Sequence, residues 1–298
     1  MLDEEGTATG TTQQDALEDG RAFGVLSGWR TISVGGTDAS AWLHDLVTAD
    51  VEGLPDRRSR RSLLLSPTGR IRADFHVAAV GDSYLLLQAP DQPEPVDAIL
   101  SRYVLSSDVV VEDRTDRSVV IALLDDAAAA NRGDGALVLM PSVLGAGGDL
   151  IVAPGDRAEG ARASLREDGL MEVTGEDLET WRIRRGVARM MVDFGADALP
   201  AEAGLEGTID FTKGCFLGQE SVAKVRNLGH PPRVLLRVRS DAPIPAGTPV
   251  FSDGVAVGEV TSVARSVHGT DAIARVRWDA ASDLLATAAG SLSLRHEQ

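Results

Sequence analysis

Cysteine is almost missing from this 298-residue chain, with Cys215 the only one. A single thiol excludes an intramolecular disulfide and any zinc site built on cysteine. Histidine is nearly as scarce. His44, His76, His230, His268 and His296 stand apart, with no pair three or four residues from each other, so no histidine metal site is expected. Lysine occurs twice, as Lys213 and Lys224, against 27 arginines. A GC-rich coding sequence would produce that bias, and it carries no functional conclusion. No apolar run reaches the ~18–20 residues of a membrane span, so no membrane association is expected. The stretch from Met1 to Asp19 is acidic and rich in Thr and Gln, without the basic-then-apolar order of a secretory signal. The cytoplasm is the expected location. Excess positive charge is also absent. A net charge of −16 and a pI near 4.7 repel phosphates, which argues against bulk binding of nucleic acid and leaves room only for a local basic patch.

What is present is enough to build cores. Hydrophobic residues make up 43% of the chain, and the length suggests two or three domains at ~100–150 residues each. Residues 1–20 read as a disordered tail. Trp29 to Val34 alternates as a strand, and Thr37 is placed to cap a helix with Ala41, Trp42, Leu46 and Val47 on one face. Ser62–Leu65, Ile71–Val80 and Tyr84–Gln88 read as a meander with turns at Ser66-Pro67-Thr68-Gly69 and Gly81-Asp82-Ser83. Val96 to Val104 reads as helix. Strands are expected at 108–112, 119–124, 137–140 and 149–152, with turns at 131–135 and 145–148. Helices follow at 156–167, capped by Asp156, and at 175–185. An irregular stretch, Val187 to Gly207, is longer than loops usually are unless they work. From Pro232 onward, short alternating strands and an Asp253-Gly254 hairpin turn argue for a small barrel.

The unusual stretch is Phe211-Thr212-Lys213-Gly214-Cys215-Phe216-Leu217-Gly218-Gln219-Glu220, with a thiol, an ammonium and a carboxylate in ten residues. Glycine before the cysteine permits a sharp turn and open approach to the sulfur. A neighbouring lysine favours the reactive thiolate. By itself the residue fits equally a small buried hydrophobe beside a turn. Asp74 reads either as a solvated strand end or, with His76 two residues on and on the same face, as an acid/base pair. Trp29, Trp42 and Trp181 read as core. Lys224 and Arg226 read as a solvated face rather than a basic rim.

The segment from Lys213 to Glu220 resembles the K-G-C-[YF]-x-G-Q-E signature of the YgfZ family, folate-binding proteins related to the glycine-cleavage T-protein, an aminomethyltransferase. Three further segments agree in order. Gly36-x-Asp38-Ala39-x-x-Trp42-Leu43 resembles the family's early motif. Pro67-Thr68-Gly69-Arg70-Ile71-Arg72-Ala73-Asp74 resembles its turn and strand, and Trp181 to Gly186 its R-I-x-x-G helix.

The resemblance implies an α+β, three-domain T-protein-like fold with mixed and antiparallel sheets and a C-terminal antiparallel barrel. It divides the chain into an interleaved folate-binding region (21–105 and 175–230), a second α+β domain (106–174) and the barrel (231–298). It implies tetrahydrofolate as cofactor in a central hole faced by the cysteine, with Cys215, Lys213 and Asp74 as reactive groups. Gly214, Gly218, Gln219, Glu220 and Arg184 would lie at the folate. Iron–sulfur client proteins, including enzymes that modify tRNA, would be the partners of a monomer.

The resemblance also marks departures from the T-proteins. Their Asp-Asp pair is Ala73-Asp74 here. Their pterin-holding glutamate is Arg184, which has no acceptor. Cys215 stands where they carry no thiol. A folate-dependent aminomethyl or methyl transferase and a non-catalytic folate-binding scaffold are the alternatives.

Overall fold

The structure is a computed structural model, and it describes residues 13–124, 136–139, 141, 143–144, 148–266, 269–282 and 284–295. A short helix, α1 (Gln13–Glu18), precedes strands β1 (Ala22–Val25) and β2 (Arg30–Gly35) and helix α2 (Ala39–Leu46). Then come β3 (Ser59–Leu65), β4 (Ile71–Val80), β5 (Ser83–Gln88), α3 (Val96–Leu100) and β6 (Val110–Asp113). The middle of the chain forms β7 (Ser118–Leu123), β8 (Leu137–Leu139), β9 (Leu150–Pro154), α4 (Ala158–Glu167), β10 (Met171–Glu172) and α5 (Gly175–Arg184). After a long irregular stretch come α6 (Gln219–Leu228) and strands β11 (Arg233–Ser240), β12 (Pro249–Ser252), β13 (Val255–Ser266) and β14 (Gly269–Arg277). Three short strands close the chain: β15 (Leu285–Thr287), β16 (Gly290–Ser291) and β17 (Ser293–Leu294).

These strands make three sheets, ordered β3-β4-β5-β2-β6, β10-β1-β7-β9-β8 and β16-β15-β12-β13-β14-β11-β17. The strand pairs are antiparallel except β1 with β10. The class is α+β, as expected. Local chemistry explains the strand joins. Asp253 and Gly254 both sit at positive φ, 47° and 79°, as a two-residue turn matching the right-handed twist of β12 and β13 requires. Helix α5 begins with a capping box, Thr174 Oγ1 accepting from the Asp177 N–H while the Asp177 carboxylate accepts from the Thr174 N–H.

Several local expectations change. Residues 13–18, read as tail, are helical, and Ala16 and Leu17 are buried against Trp181 and Leu178. Two apolar side chains one step apart were too few to show a period. Thr37 does not cap α2. Its hydroxyl donates to the Asp108 carboxylate at 2.8 Å, and Asp38 holds the cap position. Asp156 lies in a single 3₁₀ turn, and Arg157 precedes α4. The turn read at 131–135 and most of that at 145–148 lie outside the described residues.

The first two sheets face each other across one apolar cluster, with Leu85, Leu87 and Ala78 on one side and Val120, Ala122 and Val152 on the other. The irregular stretch wraps a second cluster, burying Ala188, Met190, Phe194 and Leu205 against Leu63, Leu65 and Ile71. It is tied to the barrel by a buried ion pair. Arg182 is 3% and Asp193 0% exposed, and their Nη1 and Oδ2 atoms are 2.7 Å apart. Arg182 also donates to Glu179, to Ser262 and to the Val187 carbonyl, while Asp193 accepts from Thr261 and Ser262 of β13 and from the Arg189 N–H. Removing one partner leaves an uncompensated buried charge. Asp193→Ala is therefore expected to lower stability by about 3–5 kcal/mol in urea titration, while a conservative surface change such as Glu206→Gln leaves it near wild type.

Candidate functional site

The motif stretch is a turn fastened to the end of α2. Asp210 Oδ1 accepts from the Thr212 N–H and hydroxyl and from the Lys213 N–H, at 2.8, 2.7 and 3.2 Å. This local bonding makes the sharp bend. Lys213 then reaches across the chain. Its ammonium donates to the carbonyls of His44, Val47 (2.6 Å) and Ala49 (3.0 Å). Carbonyls at a helix C-terminus lack intrahelical donors, and a cation there satisfies them. Burial pushes the ammonium down to about 8, and Asp50, Asp45, Asp210 and Glu52 hold it up against that fall. It therefore stays charged at neutral pH. With three donors engaged on three carbonyls, Lys213 serves as a staple, not as the partner of the thiol.

The remaining motif residues divide by exposure. Phe216 is buried with Leu63, Ile71 and Val222. Gly218 adopts φ 85° at the start of α6, where a Cβ would meet the Ser66 carbonyl at 2.5 Å. Here glycine is demanded by close packing of α6 on the turn at 66–69. Gly214 faces open space. Gln219 is half-buried, and its N–H donates to the Phe216 carbonyl. Glu220 is exposed and pairs with Lys224 at 3.2 Å. Cys215 is a free, exposed thiol with no hydrogen-bond partner among the described residues. Arg226 lies over the Phe211 ring at 4.3 Å.

A separate cavity of about 30 Å³ opens between β3–β4 and the stretch after α5. Trp29, Phe75 and Leu87 form apolar walls, and Arg61, Asp74, His76, Gln92, Arg182 and Arg189 supply polar groups. Asp74 is 7% exposed and is held by a two-pronged Arg61 contact, Nε–Oδ1 at 2.8 Å and Nη2–Oδ2 at 2.6 Å. Its backbone exchanges two hydrogen bonds with the Gln92 side chain. His76 stands opposite Arg61 in the β3–β4 register, with its Nδ1 shielded from solvent and unpartnered. Burial, then the Arg61 charge, lowers its pKa from 6.5 to about 3.

The predicted residues thus fall into two places. Asp74 lines the cavity with His76. Cys215, Lys213, Gly214, Gly218, Gln219 and Glu220 are not among its lining residues. Arg184 is half-buried on α5 and outside the lining. Arg182, two residues earlier in the same motif, is the motif arginine that reaches it. Arg61, Gln92 and Arg189 carried no local signal, because only strand register and loop packing bring them to Asp74.

Comparison with known proteins agrees with the motif resemblance. The GCVT N-terminal domain family matches residues 22–129. A chloroplastic Arabidopsis thaliana protein described as a transferase is 25% identical over 86% of this chain and 65% of its own length. A mitochondrial iron-sulfur cluster assembly factor IBA57 homolog of Pyricularia oryzae is 27% identical over 70% of this chain and 54% of its own. The tRNA-modifying protein YgfZ of Photobacterium profundum is 23% identical over 73% and 69%. The chain thus spans between about half and two thirds of the length of the first two. The glycine cleavage system aminomethyltransferase T of Bartonella henselae shares the fold, with a TM-score of 0.81, 20% identity and coverage of 97% of this chain and 90% of that one.

Two outcomes follow from the geometry. Lys213→Met strips a charged donor from three carbonyls and is expected to cost about 2 kcal/mol, read by urea unfolding, with Lys213→Arg recovering part of the loss. For His76 the folded pKa lies below the unfolded one, so between about 6.5 and about 3 the unfolded chain holds the extra proton. Stability is full above 6.5 and falls as pH drops through that window. Unfolding free energies of His76→Phe, compared with wild type across this range, should show a shallower acid slope.

Proposed function

We propose that this protein binds tetrahydrofolate in the cavity beside Asp74 and supports assembly or repair of iron–sulfur proteins through Cys215, in the cytoplasm and as a monomer. The observation that carries this reading is the exposed, unpartnered thiol on a turn that Lys213 and Asp210 hold in place. A cluster usually takes four cysteine ligands, so one thiolate acts only jointly with a partner or a small thiol. Exposure on a fixed turn is what such joint action requires. The relatives named for iron–sulfur assembly and tRNA modification support the same role. No helix among the described residues is long and apolar enough to cross a membrane.

The cavity fits the folate in kind. The match is one of chemistry, since the cavity's own free space of about 30 Å³ is below that of a formed small-molecule site. Trp29 offers a flat aromatic face for a fused ring, with Phe75 and Leu87 as apolar backing. A carboxylate has about four lone-pair sites, and Arg61 takes one on each oxygen of Asp74, leaving acceptors for ring N–H groups. His76 Nδ1 awaits a partner, and its imidazole is neutral at pH 7. When bound, folate supplies one-carbon carriage. Asp74, His76 and Gln92 would orient the ring, and the apolar walls would exclude water. The transferase reading has less support, because Asp74, the carboxylate that would move a proton, has both oxygens engaged by the Arg61 guanidinium.

Calorimetry tests the ligand, and restoration of activity in cells tests the sulfur. Wild-type protein is expected to bind tetrahydrofolate, His76→Phe to bind about tenfold more weakly, and Cys215→Ser to bind as wild type. The same Cys215→Ser variant should fail to restore iron–sulfur enzyme activity in cells lacking the gene. Absence of binding heat and of competition by folates would end the ligand assignment. Full restoration by Cys215→Ser would end the role of the sulfur.

A further inference from the structure

One row of side chains crosses a single face of the β3-β4-β5-β2-β6 sheet. The register pairs Arg61 with His76, His76 with Leu87, and Leu87 with Thr31. The Arg114 N–H, at the end of β6, donates to the Thr31 carbonyl at 2.8 Å. The His76 end of the row opens on the cavity beside Asp74. The Thr31 end opens on a second space, and fully buried Leu87 separates them.

This second space is a groove of about 290 Å³, at the lower end of small-molecule sites. Leu85, Leu137, Val152 and Pro154 make it apolar, and Arg114 and Arg117 stand among its lining residues. Thr31, which also lines it, is 1% exposed, and its Oγ1 has no hydrogen-bond partner. A buried hydroxyl without a partner calls for an occupant. Both guanidiniums share one carboxylate: Glu112 accepts from Arg114 Nε at 3.1 Å and Nη2 at 3.0 Å, and from Arg117 Nη2. Two cations against one anion leave this trio a single positive charge.

We propose that the groove is a second ligand site, for a small monoanionic carboxylate with an aliphatic body. The planar guanidinium fork matches a carboxylate, which can accept from Thr31 Oγ1 as well. One net positive charge balances a monoanion and would leave a phosphate dianion half-compensated. The apolar walls require a hydrocarbon portion on the ligand, since burying a second polar end there would go unpaired.

Octanoate is the probe, titrated into the full chain by calorimetry. Saturable one-to-one binding is expected. Thr31→Val keeps the shape and removes only the unpartnered hydroxyl, so it should melt like wild type and bind octanoate about tenfold more weakly. Arg117→Ala should weaken binding to a similar degree. Both variants should bind tetrahydrofolate unchanged, which separates this site from the cavity beside Asp74. Absence of saturable binding overturns the proposal, and so does binding that Thr31→Val and Arg117→Ala both leave intact. Competition between octanoate and tetrahydrofolate would place the carboxylate in the other cavity and overturn it as well.

Discussion

A buried carboxylate and a buried guanidinium hold the parts of this molecule together. Asp193 accepts from Arg182, Thr261, Ser262 and the Arg189 backbone, while Arg182 donates to Glu179, Asp193, Ser262 and the Val187 carbonyl. Charges this deep are tolerated only when their hydrogen-bonding capacity is met. Meeting it requires α5, the irregular stretch and barrel strand β13 to be in place at once. Ile183 packs on Ala264 and Ile273 beside it and adds an apolar contact across the same joint. The cavity wall formed by Arg182, Ala188 and Arg189 follows from that joint.

The same logic separates the sulfur from the cavity. Lys213 is the one residue of the motif that could have tuned the thiol, and the carbonyls at the end of α2 claim its ammonium. Phe216 and Gly218 anchor the other side of the turn against Leu65 and Ser66. What remains is a sulfur presented outward on a firmly held turn. A presented thiol suits chemistry with a partner molecule better than chemistry on a ligand enclosed elsewhere.

The sheet face between the two spaces shows how register brings distant residues into one row. Arg61, His76, Leu87 and Thr31 come from four strands, and none is near another in sequence except through the β-meander. Leu87 supplies core, and the polar groups on either side of it each lie at an opening. Two buried polar atoms without partners, His76 Nδ1 and Thr31 Oγ1, lie one at each opening. Orphan groups at openings are where a ligand gains most from hydrogen bonding.

By itself the sequence determined the strands, because alternation of apolar and polar residues is a local property of a half-buried strand. Ile71–Val80 and the Asp253-Gly254 turn stand where they were read. It also carried the resemblance, through the eight residues from Lys213 to Glu220, and the comparisons agree with it. Helix α1 escaped it, being too short to show a period. Only the tertiary structure decided that Arg182, not Arg184, reaches the cavity, that Arg61 clamps Asp74, and that Lys213 caps a helix 166 residues from it at Val47 rather than serving the cysteine two residues away. Those outcomes depend on which distant groups compete for a donor or a charge. A local pattern does not record that competition, and the folded chain settles it by satisfying its buried polar groups.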